Sequence, residues 1–228
     1  MTKEDVAQAK GRAAQAAADE VADGMLVGLG TGSTAALAIA ALGERVAAGL
    51  RITTVATSLE TERLALKAGL KVLPFEDIAE IDLGIDGADE IDPELRAIKG
   101  GGGAMLREKI VAQAAARMIC IVDQSKLVAR LGARPVPVEV LPYARTFVAD
   151  AVQSLGGEPV LRLNRDRPAI TDQGNILLDC HFGAIDNPER LAAQLQAIPG
   201  LLAHGMFLSE IDVLLVGEST GVSRRARD

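Results

Sequence analysis

The sequence has no tryptophan, one tyrosine and four phenylalanines in 228 residues. A surface that stacks nucleic-acid bases on aromatic rings is therefore not expected, nor is a Tyr- and Trp-rich protein interface. Histidine is equally scarce. His181 and His204 are the only two, and neither has a partner at zinc spacing. Of the two cysteines, Cys120 lies inside the apolar run MICIV at 118–122. It reads as a small buried hydrophobe rather than half of a disulfide or a metal ligand. Positive charge is in deficit, 24 Lys and Arg against 31 Asp and Glu, for a net charge of −7. Electrostatic binding of nucleic acid is disfavoured by that balance, although a local basic site for a small anion remains open. No apolar run approaches the ~18 residues of a membrane span. The N-terminal segment carries acids and no apolar core, so it does not read as a signal peptide. A reducing cytoplasm is the expected setting.

What is present is a regular alternation of short apolar strands and helices. Residues 4–22 are Ala-rich and predict a helix that Asp23-Gly24 breaks. Residues 25–29 predict a buried strand, followed by a helix to about Leu42. Further strands are expected at 51–56, 71–73, 81–85 and 118–122, and helices at 58–67, capped by Ser58, and at 104–117. This order predicts an α/β fold: a Rossmann-like, doubly wound, mainly parallel sheet. After Leu131 the texture changes. Pro135, Pro137 and Pro142 punctuate a boundary, and a helix is expected at 144–155. Strands follow at 159–163 and 175–179 around a turn at 171–174, and Asn187-Pro188 opens another helix. Residues 132–206 thus read as a small α+β domain inserted into a larger one, residues 1–131 plus 207–228. The buried strand at 213–216 is expected to return to the first sheet, and the basic tail at 223–228 to fray into solvent.

Four segments carry the chemistry. GLGTGST at 28–34 stands between a strand and a helix. Its glycines admit a ligand close to the backbone. The helix N-terminus offers free N–H groups and the positive end of a dipole, and Thr31, Ser33 and Thr34 add hydroxyls. These features suit a phosphate, or simply a tight turn with an N-cap. The segment has no lysine before its Ser/Thr as a P-loop would. A dinucleotide fingerprint is missing too, since Ser33 replaces its third glycine and no acid follows about 20 residues on. DLGIDGADEID at 82–92 holds five acids in eleven residues. Asp86 and Asp89 follow a buried strand, at the edge where open α/β sheets bind ligands, and would suit the hydroxyls of a polyol. A metal site and a solvated loop are the alternatives, without the spacing of a calcium loop. In KGGGGAMLREKI at 99–110, four consecutive glycines are costly in chain entropy and imply a close backbone approach, with Lys99 fixing a charge beside them. Glu108 is expected on the flank of an apolar stripe of Leu106, Ile110, Val111 and Ala114. That border offers a route to the raised pKa of a general base, while a surface glutamate paired with Arg107 or Lys109 is the alternative. VDQSK at 122–126 brings Lys126 to the same sheet edge. The combined inventory suits a small phosphorylated polyol and proton transfer without metal or cofactor.

Taken in order, GLGTGSTA (28–35), DGADEID (86–92), KGGGGAMLREKI (99–110), DQSKLV (123–128), PVEVLP (137–142) and TDQGN (171–175) resemble ribose-5-phosphate isomerase, type A. The resemblance runs nearly the whole chain. It implies interconversion of ribose 5-phosphate and ribulose 5-phosphate in the pentose phosphate pathway, with no metal and no cofactor. It also implies a Rossmann-like domain carrying a smaller α+β lid domain, and a homodimer or tetramer. By the same resemblance Thr31, Gly32, Ser33 and Thr34 form the first substrate-binding segment. Asp86, Gly87, Ala88 and Asp89 form the second, and Lys99, Gly100, Gly101 and Gly102 the third. Lys126 is a further contact. Glu108 is the proton acceptor, with Asp86, Asp89 and Lys99 also in catalytic roles. Some members place a lysine of the first helix near the phosphate. Here the matching stretch reads DVAQA at 5–9, with lysines only at Lys3 and Lys10. A phosphosugar-sensing regulatory module, or a sugar-phosphate deaminase or lactonase, is the alternative reading. The first would not need Glu108 and normally carries a DNA-binding segment. The others would more readily use a histidine, and neither His181 nor His204 lies in these loops.

Overall fold

The computed structural model describes residues 2–227, the side chain of Lys3 excepted, and the chain divides into two compact units. In chain order the elements begin with α1 (Lys3–Asp19), β1 (Leu26–Leu29), α2 (Ser33–Ala47), β2 (Thr53–Ala56), α3 (Leu59–Lys67) and β3 (Leu83–Asp86). Next come β4 (Glu90–Ile91), β5 (Ala97–Ile98), α4 (Met105–Ala114), β6 (Met118–Asp123), β7 (Val136–Val140) and α5 (Arg145–Ser154). Then follow β8 (Glu158–Leu161), β9 (Leu163–Asn164), β10 (Arg167–Pro168), β11 (Ile176–His181) and α6 (Pro188–Gln196). The chain closes with β12 (Leu201–His204), β13 (Met206–Phe207), β14 (Val213–Gly217) and β15 (Val222–Ala226). Among the described residues no helix is long and apolar enough to cross a membrane.

One unit takes the chain up to Ala88, Arg107–Leu127 and the residues from Ser209 on. Its six-stranded sheet has the order β15-β14-β6-β3-β1-β2, parallel throughout except for β15. Side chains alternate across a strand, and β1 uses both faces. Val27 and Leu29 pack with Ala13, Ala17, Ile39 and Leu42 of α1 and α2. Gly28, between them, faces the other way, against α4. A Cβ added there would lie 2.6 Å from a Val111 methyl. Helices therefore cover both faces of a mainly parallel sheet, the doubly wound arrangement expected.

Several boundaries differ from expectation for local reasons. Helix α2 runs on to Ala47, and Arg45 in its last turn reaches the carbonyls of Ala18, in the last turn of α1, and Val21, just past it, the latter at 2.9 Å. Carbonyls at a helix end lack a following turn, and the guanidinium adds to the N–H, from Val21, that the Ala18 carbonyl accepts. Residues 71–73 form no strand, only a single bridge from Val72 to Thr54. Helix α4 stops at Ala114, and Ala115 bridges to Ile81 instead. The basic tail is not frayed. Val222–Ala226 pairs antiparallel with β14, and arginines on this outermost strand solvate an edge that would otherwise invite pairing. Asp228, the last residue of that tail, lies outside the described residues.

The other unit takes Asp89–Leu106 and Val128–Leu208. An antiparallel sheet, β12-β7-β11-β8, packs Val136, Val138 and Val140 with Val148 and Val152 of α5 and Leu191 and Leu195 of α6. A smaller sheet, β13-β5-β4, lies in the same unit. Strand β7 was hidden in the sequence by Pro135 and Pro137, which read as breakers. Pro137 is tolerated because the register of β12 with β7 starts only at Val138; past that point the proline contributes its carbonyl, which accepts from Gly205 at 2.7 Å, and no N–H is called for.

Candidate active site

In the larger sheet the connection from β1 leads to β2 on one side, and β3 lies on the other. The strand order reverses between β1 and β3, and open α/β sheets bind ligands outside the C-terminal ends of strands at such a point. The loops that leave β1, β3 and β6 at that edge carry Gly30–Thr34, Asp86–Ala88 and Lys126. Three of the segments singled out in the sequence thus converge on neighbouring strand ends.

The first loop has the donors that an anion would need. Gly32 has φ +121°, a backbone conformation that side chains disfavour, and its carbonyl accepts from Ala36 to open α2. The first N–H groups of α2 have no intrahelical acceptor and face outward from the loop. Gly32 and Ser33 are exposed and Thr34 is buried. Lys10 of α1 donates to Ser33 Oγ at 3.0 Å. The first helix therefore does bring a cation to this loop, from the residue directly after the stretch at 5–9. Thr31 behaves differently from its neighbours. Its hydroxyl lies 2.8 to 3.0 Å from Thr57 Oγ1, Ser58 Oγ and Thr61 Oγ1. Thr57 and Thr61 spend their own protons on the carbonyls of Leu29 and Gly30. The Thr31 hydroxyl is thus turned into the protein, where it fixes the loop.

Asp86 is the last residue of β3 and is buried. Its carboxylate occupies the space beside Gly30, where an added Cβ would fall 2.0 Å from Oδ1. Its Oδ1 also accepts the Gly87 N–H at 2.7 Å. Glu108 sits in the first turn of α4 and is only 3% exposed. The expected stripe is corrected here. Ile110 is 43% exposed, and the buried face runs through Met105, Glu108, Val111 and Ala112. Glu108 belongs to that face rather than flanking it. Val111 faces Gly28 in mid-strand, while Ala115, just past the helix, bridges to Ile81 ahead of β3. The start of α4, with Glu108, therefore points toward the C-terminal edge of the sheet. Next to it, Lys109 pairs with Glu210 at 3.5 Å. Burial pushes the Lys109 ammonium below the usual lysine value despite that partner. Lys126 ends a short 3-10 turn after β6 that Asp123 caps by accepting the Ser125 N–H at 2.9 Å.

The smaller unit carries Asp89, Lys99 and the tetraglycine loop. Asp89 Oδ2 accepts the Gly101 N–H at 2.7 Å, and an added Cβ on Gly101 would meet Oδ1 at 2.8 Å. Both aspartates of DGAD thus lie against a glycine whose missing side chain leaves them room. Lys99 is buried, with its ammonium 5.3 Å from the centre of the Phe207 ring and its N–H on the Gly205 carbonyl at 2.8 Å. Gly100 has φ +111°, and Gly101 and Gly102 are exposed.

Other residues were not legible beforehand. The hydroxyls of Thr57 and Thr61 were one group, with Ser58 anticipated only as a cap. Three hydroxyls in TSLET, directly after a strand, were the available signal. Arg162 was another; its guanidinium donates to the carbonyls of Gly100 and Gly101 at 2.8 and 3.3 Å. Two motif segments, PVEVLP and TDQGN, instead meet one another. Buried Glu139 accepts from Thr171 Oγ1 at 2.9 Å and Asn175 Nδ2 at 2.8 Å, which ties the turn at 171–175 to β7. Both cysteines are buried and neither forms a disulfide, and burial together with the charge of Asp179 pushes the Cys180 thiol up to about 12. Among the described residues no group of three or more His, Cys, Asp or Glu is placed to hold a metal ion.

The family model for ribose 5-phosphate isomerase A (phosphoriboisomerase A) matches residues 53–221. The chain belongs to this family of enzymes. Similar proteins extend the match beyond those residues. Ribose-5-phosphate isomerase A of Sphingopyxis alaskensis is 52% identical over 218 residues, 96% of each chain. The protein of that name from Methanosarcina acetivorans is 50% identical over 209 residues, covering 90% of this chain and 88% of the other. Among solved structures, ribose 5-phosphate isomerase A from Methanocaldococcus jannaschii superposes with a TM-score of 0.92 at 41% identity, covering 99% of this chain and all of that one. A D-ribose-5-phosphate isomerase in complex with phospho-erythronic acid superposes with a TM-score of 0.94 at 38% identity, over 97% and 99% of the two chains.

Proposed function

We propose that the chain interconverts D-ribose 5-phosphate and D-ribulose 5-phosphate through an enediolate, with Glu108 as the base that moves the proton. The observation that carries this reading is the convergence of an anion-binding loop, a buried aspartate and a lysine at the strand-order reversal, on a member of this family. The phosphate sits on the α2 N-terminus, with Ser33, Thr34 and Lys10, and Thr31 holds the loop in shape. Asp86 and Asp89 accept from sugar hydroxyls and assist opening of the furanose ring. Phospho-erythronic acid, held by one of the similar structures, has the same phosphate-plus-hydroxyl character. With the phosphate fixed, the reacting carbons are placed by binding energy from a remote group.

In the open-chain aldose, the Glu108 carboxylate takes the proton from C2. The electrons of that C–H bond form the C1–C2 double bond, and negative charge moves onto the C1 oxygen. Lys99, Lys126 and the N–H groups of Gly100 and Gly102 stabilise that charge as it develops. One proton is taken up at O1 and another leaves O2, and Glu108 returns its proton to C1 to give the ketose. One carboxylate serves both carbons because they are adjacent. The chain's own ammonium and amide groups supply the electrostatic stabilisation, so turnover is expected to need no added metal. We also read the protein as a cytoplasmic homodimer acting in the non-oxidative pentose phosphate pathway. The test is conversion of ribose 5-phosphate by the purified chain with and without EDTA. Equal rates are expected. No conversion, or conversion that chelation abolishes and a divalent ion restores, would overturn the reading.

A further inference from the structure

Arg162 lies outside the six segments that carry the resemblance. It follows β8, where its N–H donates to the Leu177 carbonyl at 2.9 Å. Its guanidinium spans two partners at once. Nε donates to Asp179 Oδ2 at 2.9 Å and Nη2 donates to Asp179 Oδ1, a fork-on-fork pair. The remaining nitrogen, Nη1, donates to the carbonyls of Gly100 at 2.8 Å and Gly101 at 3.3 Å. The side chains of Arg162 and Asp179 are 18% and 23% exposed, so the pair is partly shielded from water.

The same peptide unit is held at its other pole. The carbonyl of Gly100 accepts from Arg162, while the N–H of Gly101 donates to Asp89 Oδ2 at 2.7 Å. Glycine crosses between positive and negative φ at little steric cost, so a run of four is a segment whose peptide planes turn over readily. If the plane between Gly100 and Gly101 turned over, Asp89 would lose its donor and face a carbonyl oxygen. The N–H groups of the loop would be re-aimed with it. Arg162 opposes that rotation because the carbonyl it holds would have to leave a charged donor.

We propose that Arg162, braced by Asp179, is a positioning residue for the reaction. It locks the Gly100–Gly101 peptide plane and so fixes the direction of the tetraglycine N–H groups and the orientation of Asp89. The proposal rests on the reading that Asp89, Lys99 and this loop hold the substrate. Lysine would not replace the arginine. A single ammonium on a flexible stem cannot meet a carboxylate edge-on and the two carbonyls in one plane.

The experiment compares wild-type chain with R162A, R162K and D179N in steady-state turnover of ribose 5-phosphate, alongside thermal melting. Wild type without turnover would defeat the functional reading and the proposal together. With wild type active, R162A is expected to lose about 10- to 100-fold in kcat, the scale of a misplaced catalytic array, with a smaller change in KM. R162K should resemble R162A, and D179N should lose part of kcat. Millimolar methylguanidinium should restore part of the R162A turnover, whereas methylammonium should not, a response that lost fold stability would not give. Should R162A not fold, D179N decides, since it keeps the arginine and the shape of its partner. A folded R162A or D179N with wild-type kcat overturns the proposal, as does a loss in R162A that methylguanidinium leaves unchanged.

Discussion

Replacing Glu108 by glutamine separates its chemistry from its packing. The two side chains have nearly the same size, and the site is 3% exposed on the buried face of α4, so the amide enters the same space. What disappears is the ability to accept a proton. A lost general base costs at least ~10²-fold, which is about 2.7 kcal/mol of transition-state stabilisation. Because Glu108 is read as serving both proton transfers, no second base takes over half of the reaction. Glutamate to aspartate tests geometry in the same place. It retracts the carboxylate by more than ~1 Å, and misplacement on that scale can cost ~10²-fold. The helix has little freedom to follow. Val111, one turn on, is packed so tightly against Gly28 that an added Cβ would lie 2.6 Å away, and Lys109 is paired with Glu210. Both variants are therefore expected to lose turnover while KM changes little. The assay is kcat together with exchange of the C2 proton in heavy water. Exchange at the wild-type rate in E108Q would refute the assignment and make Asp86 or Asp89 the next candidates.

Two further outcomes follow from contacts elsewhere in the same unit. K10M removes the ammonium that donates to Ser33 at 3.0 Å. A lost charged hydrogen bond of about 1.5–3 kcal/mol should raise KM roughly 10- to 100-fold and leave kcat near wild type, and an unchanged KM would remove Lys10 from the phosphate site. The second outcome concerns acid stability. Burial pushes the Glu210 carboxyl up, but the charge of Lys109 and hydrogen bonds from the Glu210 and Ser209 backbone and Gln113 outweigh it. The group is held below the usual 4.5. A depressed carboxylate stabilises the fold above its unfolded pKa, and that contribution is lost as pH falls through the folded value. Lys109 is itself pushed down, by burial first, so the pair's gain resides in the carboxylate. E210Q should therefore melt below wild type at pH 7, with the gap closing as pH falls below 4.5. A constant gap across that range would show that packing, and not the charge, sets the difference.

The larger sheet could be read in advance because its signals are local. Stretches such as 26–29 and 118–122 are uninterrupted apolar runs, and each is followed by glycine or a polar turn. The candidate residues were legible for the same reason, since they follow strands in short, unusual segments. The misses were non-local. Strand β7 is set by the partners β11 and β12, and its prolines argue against it until it is known that β12 pairs only from Val138 onward. The buried face of α4 depends on which side meets β1. Apolar spacing alone favoured Ile110, which is exposed, and so left Glu108 on a flank. Arg162 gave no signal at all, because an arginine in a polar stretch acquires meaning only from the carbonyls it reaches some sixty positions earlier.

The two aspartates of DGAD make the same point from the opposite direction. Neither is explained by its own neighbours in the sequence. Asp86 fits because Gly30, on another strand's loop, has no side chain where the carboxylate lies, and Asp89 fits because Gly101 has none. Each acid is thus matched to a glycine drawn from a different motif, GLGTGST for one and KGGGG for the other. A methyl at either glycine would displace the carboxylate that the reaction is read to need. The glycines are then not merely permissive backbone for a ligand. They are part of how the acids are held, so each acid depends on a segment other than its own.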